Sequence, residues 1–173
     1  FNGGRPKNGK MSEAAKSGMI TTIVHEVGHN WFPMIVSSDE RQWMWMDEGL
    51  NTFLHVRTIR ERYPQYHSTV PKDIINFVKG DKNTLRPIMT SSDNITLTQI
   101  GNTYYIKPTI GLQMLRNSII GPELFDQAFI EYANKWKYNH PNPAEFFRTF
   151  EEATATDLDW FMRGWLFTTD VTD

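Results

Sequence analysis

His25-Glu26-Val27-Gly28-His29 and, after eighteen intervening residues, Glu48 within Trp45-Met46-Asp47-Glu48-Gly49 are the residues around which the rest of this chain is organised. An α-helix rises about 1.5 Å and turns about 100° per residue, so positions 25 and 29 stack on one face and two imidazoles can grip one cation. Glu48, carried in on a second helix, completes a set of two histidines and one carboxylate. Such a set leaves one tetrahedral position of Zn2+ open to water, the arrangement of a catalytic rather than a structural site. Glu26 neighbours a ligand but points about 100° away around the helix, too skewed to chelate with both histidines. It is placed to take a proton from that water and is read as general base.

Around these residues the helical signal is continuous. Ser12 is an N-cap with Glu13 in the first turn, and Pro33 is expected to end the helix that carries both histidines. Its Ile20, Ile23, Val24, Val27 and Trp31 recur at helical spacing opposite the histidines and are read as core. A second helix is expected from about Trp45 to Tyr63, stopped by Pro64, with Trp43, Met46, Leu50, Phe53 and Leu54 on its apolar side and Glu48 opposite. The short connection favours antiparallel packing that turns Glu48 toward the histidines. Downstream, Asp73 to Lys79 is a short candidate helix and Asp81 to Thr98 a long loop. Further helices are expected over about Thr109 to Ile120, Pro122 to Tyr138, Pro143 to Ala153 and Asp157 to Phe167. The six tryptophans are read chiefly as core. No strand ladder, repeat or low-complexity tract stands out, so the fold class is mainly α: one domain over residues 1–173, built as a helical bundle.

Composition excludes several classes of function. At 173 residues, with 39% hydrophobic and 13% aromatic residues and a net charge of −2, the chain can bury a core and offers no basic surface for nucleic acid. It has no cysteine, so disulfides and thiolate metal sites are excluded and a transition metal must be held by His, Asp or Glu. No apolar run is long enough for a transmembrane segment. The opening Phe1-Asn2-Gly3-Gly4 resembles neither a signal peptide nor a native start, and the chain is read as a segment of a longer protein.

The spacing of the two motifs, Trp-Met-Asp-Glu-Gly-Leu-Asn-Thr-Phe around Glu48, and Tyr105-Ile106-Lys107 followed by Gly111-Leu112-Gln113-Met114-Leu115 together resemble the M1 family of zinc aminopeptidases, gluzincins related to aminopeptidase N and leukotriene A4 hydrolase. Gly121-Pro122-Glu123-Leu124-Phe125 and Asp157-Leu158-Asp159-Trp160-Phe161, with Trp165, extend the likeness over nearly the whole chain. The resemblance implies the C-terminal helical half of a thermolysin-like (zincin) catalytic domain that works with a preceding half-domain on a peptide substrate. It implies His25, His29 and Glu48 as zinc ligands, Glu26 as general base and Tyr105 as the phenol that steadies the oxyanion, with Tyr104 its adjacent rival.

The chain departs from the family at several points. The family's Gly-x-Met-Glu-Asn-like element, whose carboxylate holds the substrate amino group, has no counterpart here: Gly18-Met19 runs into Ile20. Its absence leaves open a thermolysin-type endopeptidase, and an inactive binding or scaffold module of the same fold is the alternative from another class. Pro108 follows Lys107 where the family has Gly; it biases Lys107 away from helix and suggests a helix-entry turn at Tyr105. Lys107 itself is read as a solvated or structural cation. His55 stands where many members carry an acid. It lies about 10 Å along the helix from Glu48, too far to ligate the same ion. The default reading is a packed or solvent-facing histidine, and the alternative is a hydrogen bond behind a ligand. His67 and His140 are read as surface residues.

Overall fold

A computed structural model describes residues 9–66, 80 and 82–170 of the protein. Among them the chain is helical, with no strand element. Helix α1 (Glu13–Gly28) begins as expected, the Ser12 side chain accepting the Ala15 N–H at 3.2 Å. It stops at Gly28, earlier than Pro33, and successive tight turns over residues 29–35 carry the chain away. The second helical stretch is longer than expected and has three parts: α2 (Glu40–Met44), a wide π-helical turn (Trp45–Gly49) and α3 (Leu50–Arg62).

A long third stretch begins at α4 (Leu97–Ile100), capped by a reciprocal Thr96/Gln99 box. It passes through a π turn (Gly101–Ile106), α5 (Lys107–Met114) and another π turn (Leu115–Ile119). The expected helix start at Thr109 is therefore corrected: Pro108 lies inside a continuous helical path. Proline cannot donate a backbone bond and its ring crowds the carbonyl four residues back. The wide turn before it relaxes that constraint, its bonds reaching five residues back, as from the Lys107 N–H to the Asn102 carbonyl. Helices α6 (Pro122–Trp136), α7 (Pro143–Thr154) and α8 (Asp159–Phe167) match the expected segments to within a few residues, α7 with a full Asn142/Glu145 capping box. The candidate helix at 73–79 and His67 fall outside the described residues.

The core is aromatic. Phe53 of α3, Phe125, Phe129 and Tyr132 of α6, and Phe146 and Phe150 of α7 meet in edge-on and tilted pairs with centroids 4.6–6.5 Å apart, joined by Trp45 and Phe32. Each such ring buries a large apolar area, which fixes α6 and α7 against the Glu48 helix. The Asp126 carboxylate receives paired hydrogen bonds from Arg57 on α3 and Arg116 of the last π turn, all 2.8–2.9 Å. The apolar side of α1 is not core. Ile23, Val27 and Trp31 are 43%, 62% and 52% exposed, and α1 contributes no buried residue. What turns α1 toward α3 is its polar face, described below. Of the six tryptophans, Trp45 and Trp165 are buried, Trp43 and Trp136 half-buried, and Trp31 and Trp160 exposed.

Candidate metal centre

The two histidines reach their positions because α1 lies close against α3. Any side-chain carbon at Gly28 would collide with the Asn51 amide, so glycine here lets Asn51 donate from Nδ2 to the His25 carbonyl at 2.8 Å. Asn51 is completely buried. Glu48 sits within the wide turn at Trp45–Gly49, and its glycine is what admits the next element: a carbon at Gly49 would lie 2.6 Å from the Pro108 ring and 3.0 Å from the Tyr104 carbonyl. The two wide turns therefore touch backbone to backbone, which brings Tyr105 over Glu48.

His25 Nε2 lies 3.0 Å from Glu48 Oε2, His29 Nε2 lies 3.2 Å from His25 Nε2, and His29 Nε2 lies 3.5 Å from Glu48 Oε2. Ligand bonds of about 2.0–2.2 Å at tetrahedral angles put neighbouring donor atoms about 3.3 Å apart, so this triangle has the dimensions of one face of a zinc coordination sphere. The other ring nitrogens are taken. His29 Nδ1 bonds the Phe32 carbonyl at 2.9 Å, and His25 Nδ1 lies 3.0 Å from His55 Nδ1. The residues thus fit a zinc ion through both Nε2 atoms and the Glu48 carboxylate.

Tyr105 is half-buried, its ring stacked on His25 at 5.9 Å and its hydroxyl bonded to Glu48. Burial, then that bond and the charge of Glu48, hold the phenol far above its ordinary pKa, so it stays an O–H donor. Tyr104, the adjacent tyrosine, is fully buried and donates to the Thr90 carbonyl at 2.7 Å. Burial would raise the Glu48 carboxyl, but hydrogen bonds from His25 and Tyr105 outweigh it and hold the group below its ordinary value. Glu26 is exposed on α1, and its charge reaches the Tyr105 hydroxyl. Lys107 is no solvated cation. It is wholly buried, donates to the Thr168 carbonyl at 2.6 Å and lies over the Trp165 ring, and burial pushes it down to about 8. His140 is exposed, as expected.

Three residues at the site were not singled out from the sequence. Asp47 is buried with Oδ1 2.9 Å from His29 Nδ1 but off the line of that N–H, which points to Phe32; burial, then the Glu48 charge, push its carboxyl up to about 7. Asn51 and Gly28 were hidden because each is informative only as a pair. The usable signal was an Asn three residues after Glu48, amid apolar positions, where a solvated side chain has no place. His55 reaches His25, so its default reading as a packed or solvent-facing side chain is replaced by the hydrogen-bonded one.

The sequence comparisons agree with this geometry. Residues 6–165 match the Peptidase family M1 domain. The chain is 25% identical over 162 residues to "Probable aminopeptidase 1" of Sulfurisphaera tokodaii, covering 90% of this chain and 20% of that protein. It is 28% identical over 141 residues to human endoplasmic reticulum aminopeptidase 2 (76% of this chain, 14% of that protein) and 27% identical over 154 residues to human glutamyl aminopeptidase (85% and 16%). The chain spans a fifth or less of the length of these relatives. A match over nearly all its residues, on a helical scaffold that brings two histidines and a glutamate together, has one meaning: the chain belongs to peptidase family M1.

Proposed function

We propose that the protein carrying this chain is a zinc aminopeptidase and that residues 1–173 are the helical half of its thermolysin-like catalytic domain. The observation that carries the reading is the triangle of His25 Nε2, His29 Nε2 and Glu48 Oε2 with the Tyr105 hydroxyl beside it. His25, His29 and Glu48 would hold the zinc ion, which would supply an acidified water and a Lewis acid for the scissile carbonyl. Glu26 accepts a proton from the attacking water at its carboxylate and returns it to the departing amine. The Tyr105 O–H, kept neutral by its surroundings, donates to the oxygen on which negative charge develops. The names of the relatives favour exopeptidase action on a free N-terminus.

The outward apolar stripe of Ile23 and Val27 on α1 and Trp31 in the turn after it is assigned to contact with the preceding half-domain in a protein of the relatives' length. Without that half the cleft lacks a wall, and the isolated chain is expected to have little or no peptidase activity.

The test uses the full-length protein: metal content, then hydrolysis of peptides with free and with acetylated N-termini. Zinc and cleavage of free N-termini only are expected. Internal cleavage of blocked peptides would make it an endopeptidase, and a zinc-loaded protein with no turnover would make it a binding module. Glu26→Gln should retain zinc and lose about 10²–10⁴-fold in kcat. Tyr105→Phe should lower kcat by about 10²–10³-fold with little change in KM; a loss confined to KM would reduce Tyr105 to a binding contact.

A further inference from the structure

His25 has two ring nitrogens and two different neighbourhoods. Its Nε2 faces Glu48 and His29, so when that nitrogen lends its lone pair to a cation, Nδ1 must carry the proton. An N–H in this part-buried position needs an acceptor, and Nδ1 has His55 Nδ1 at 3.0 Å. The rings meet edge to face, centroids 5.1 Å apart and planes at 77°. A bond between two ring nitrogens has one proton in it, so His55 Nδ1 offers its lone pair and the second imidazole is neutral.

We propose that His55 is a positioning residue for His25: as an uncharged acceptor it fixes the tautomer and ring orientation that aim Nε2 at the cation, without the electron push an anionic acceptor would give. The inference rests on the zinc reading above. A carboxylate behind a metal-bound imidazole raises the basicity of that ligand. An imidazole in the same place orients the ring equally well but leaves more positive charge on the ion. The site therefore holds zinc less tightly than a carboxylate-backed site of the same geometry and polarises its ligands more.

The experiment compares His55→Leu, His55→Gln and His55→Glu in the full-length protein, reading zinc Kd by competition with a chelating dye. His55→Leu leaves the Nδ1–H without an acceptor and should weaken zinc binding about 10–100-fold. His55→Gln presents an amide oxygen and should stay near wild type, whereas His55→Glu should bind zinc more tightly than wild type. A role in packing alone would make all three variants weaker. Equal Kd for Leu and wild type overturns the proposal, as does a Glu variant that binds no better than the Gln variant, and this second comparison decides if His55→Leu fails to fold. A wild-type protein that takes up no zinc would instead remove the metal reading, and His55 with it; normal zinc binding with unchanged variants removes His55 alone.

Discussion

At Gly28 a lone hydrogen stands where any other residue would place a carbon, and the Asn51 amide occupies the space it leaves. That contact holds the backbone at His25, so its loss is felt at the His25, His29 and Glu48 cluster rather than only in the core. Gly28→Ala should push the amide aside and cost about 1–3 kcal/mol through a misplaced buried polar group. Asn51→Ala should cost less, and the double variant less than the sum of the two, because the added methyl then enters the space the amide vacated. Denaturant unfolding of the four proteins checks this; strict additivity would mean the pair does not interact. Single residues are also where the sequence was most legible. The spacing of His25 and His29 is a statement about helix geometry, which sequence carries directly, whereas Glu48, 23 residues from His25, came from the resemblance and the expected packing of two helices. The Asn51–Gly28 and His25–His55 contacts were not legible, because each joins positions 23 to 30 residues apart whose meeting depends on how closely two helices approach.

Among the elements, helix starts with local chemistry were readable: Ser12 announces its helix as a cap, and Pro122 and Pro143 stand where theirs begin. Pro108 misled because proline normally marks a boundary, and nothing local reveals a wide turn that accommodates it. Lys107, next to that proline, links this element to the end of α8 through Thr168. Burial, the largest influence, lowers its pKa from the ordinary 10.5 to about 8. From about pH 8 to 10.5 the unfolded lysine holds a proton that the folded one releases, so this residue adds stability as pH rises through that window and costs stability below it. Lys107→Met removes the dependence. Melts of both proteins below pH 8 and near pH 10 should show the variant's advantage shrinking at the higher pH; a constant difference would mean that Lys107 stays charged throughout.

For the whole molecule, the helical class followed from periodicity, but the core did not: only Trp45 and Trp165 of the six tryptophans are buried, and along the α1 stripe read as core Ile23 and Val27 are exposed while Ile20 and Val24 are half-buried. Periodicity identifies an apolar stripe, not what covers it. Here the Asn51 bond to the His25 carbonyl and the contact of His25 with Glu48 orient the helix, leaving Ile23 and Val27 outward and Trp31 exposed in the turn beyond it. Trp31 is the natural reporter of what lies over that stripe. In the isolated chain its fluorescence should be readily quenched by acrylamide, and in the full-length protein shielded, the comparison being made against Trp31→Phe in each. Equal quenching in both would leave the stripe uncovered and remove the assigned contact with the preceding half-domain.

The wide turns at Trp45–Gly49 and Gly101–Ile106 impose an unusual sensitivity to chain length. Each holds one residue more than a regular helix would use; dropping it at Trp45–Gly49 would let the backbone close into a smoother, better-bonded coil, whereas at Gly101–Ile106 it would return Pro108 to a regular helix whose carbonyl its ring crowds. The same deletion would swing Glu48 or Tyr105 by about 100° relative to its neighbours. At Trp45–Gly49 a shortened gene could therefore encode a sturdier protein in which Glu48 no longer faces the two histidines, so selection for thermal robustness alone would erode that arrangement.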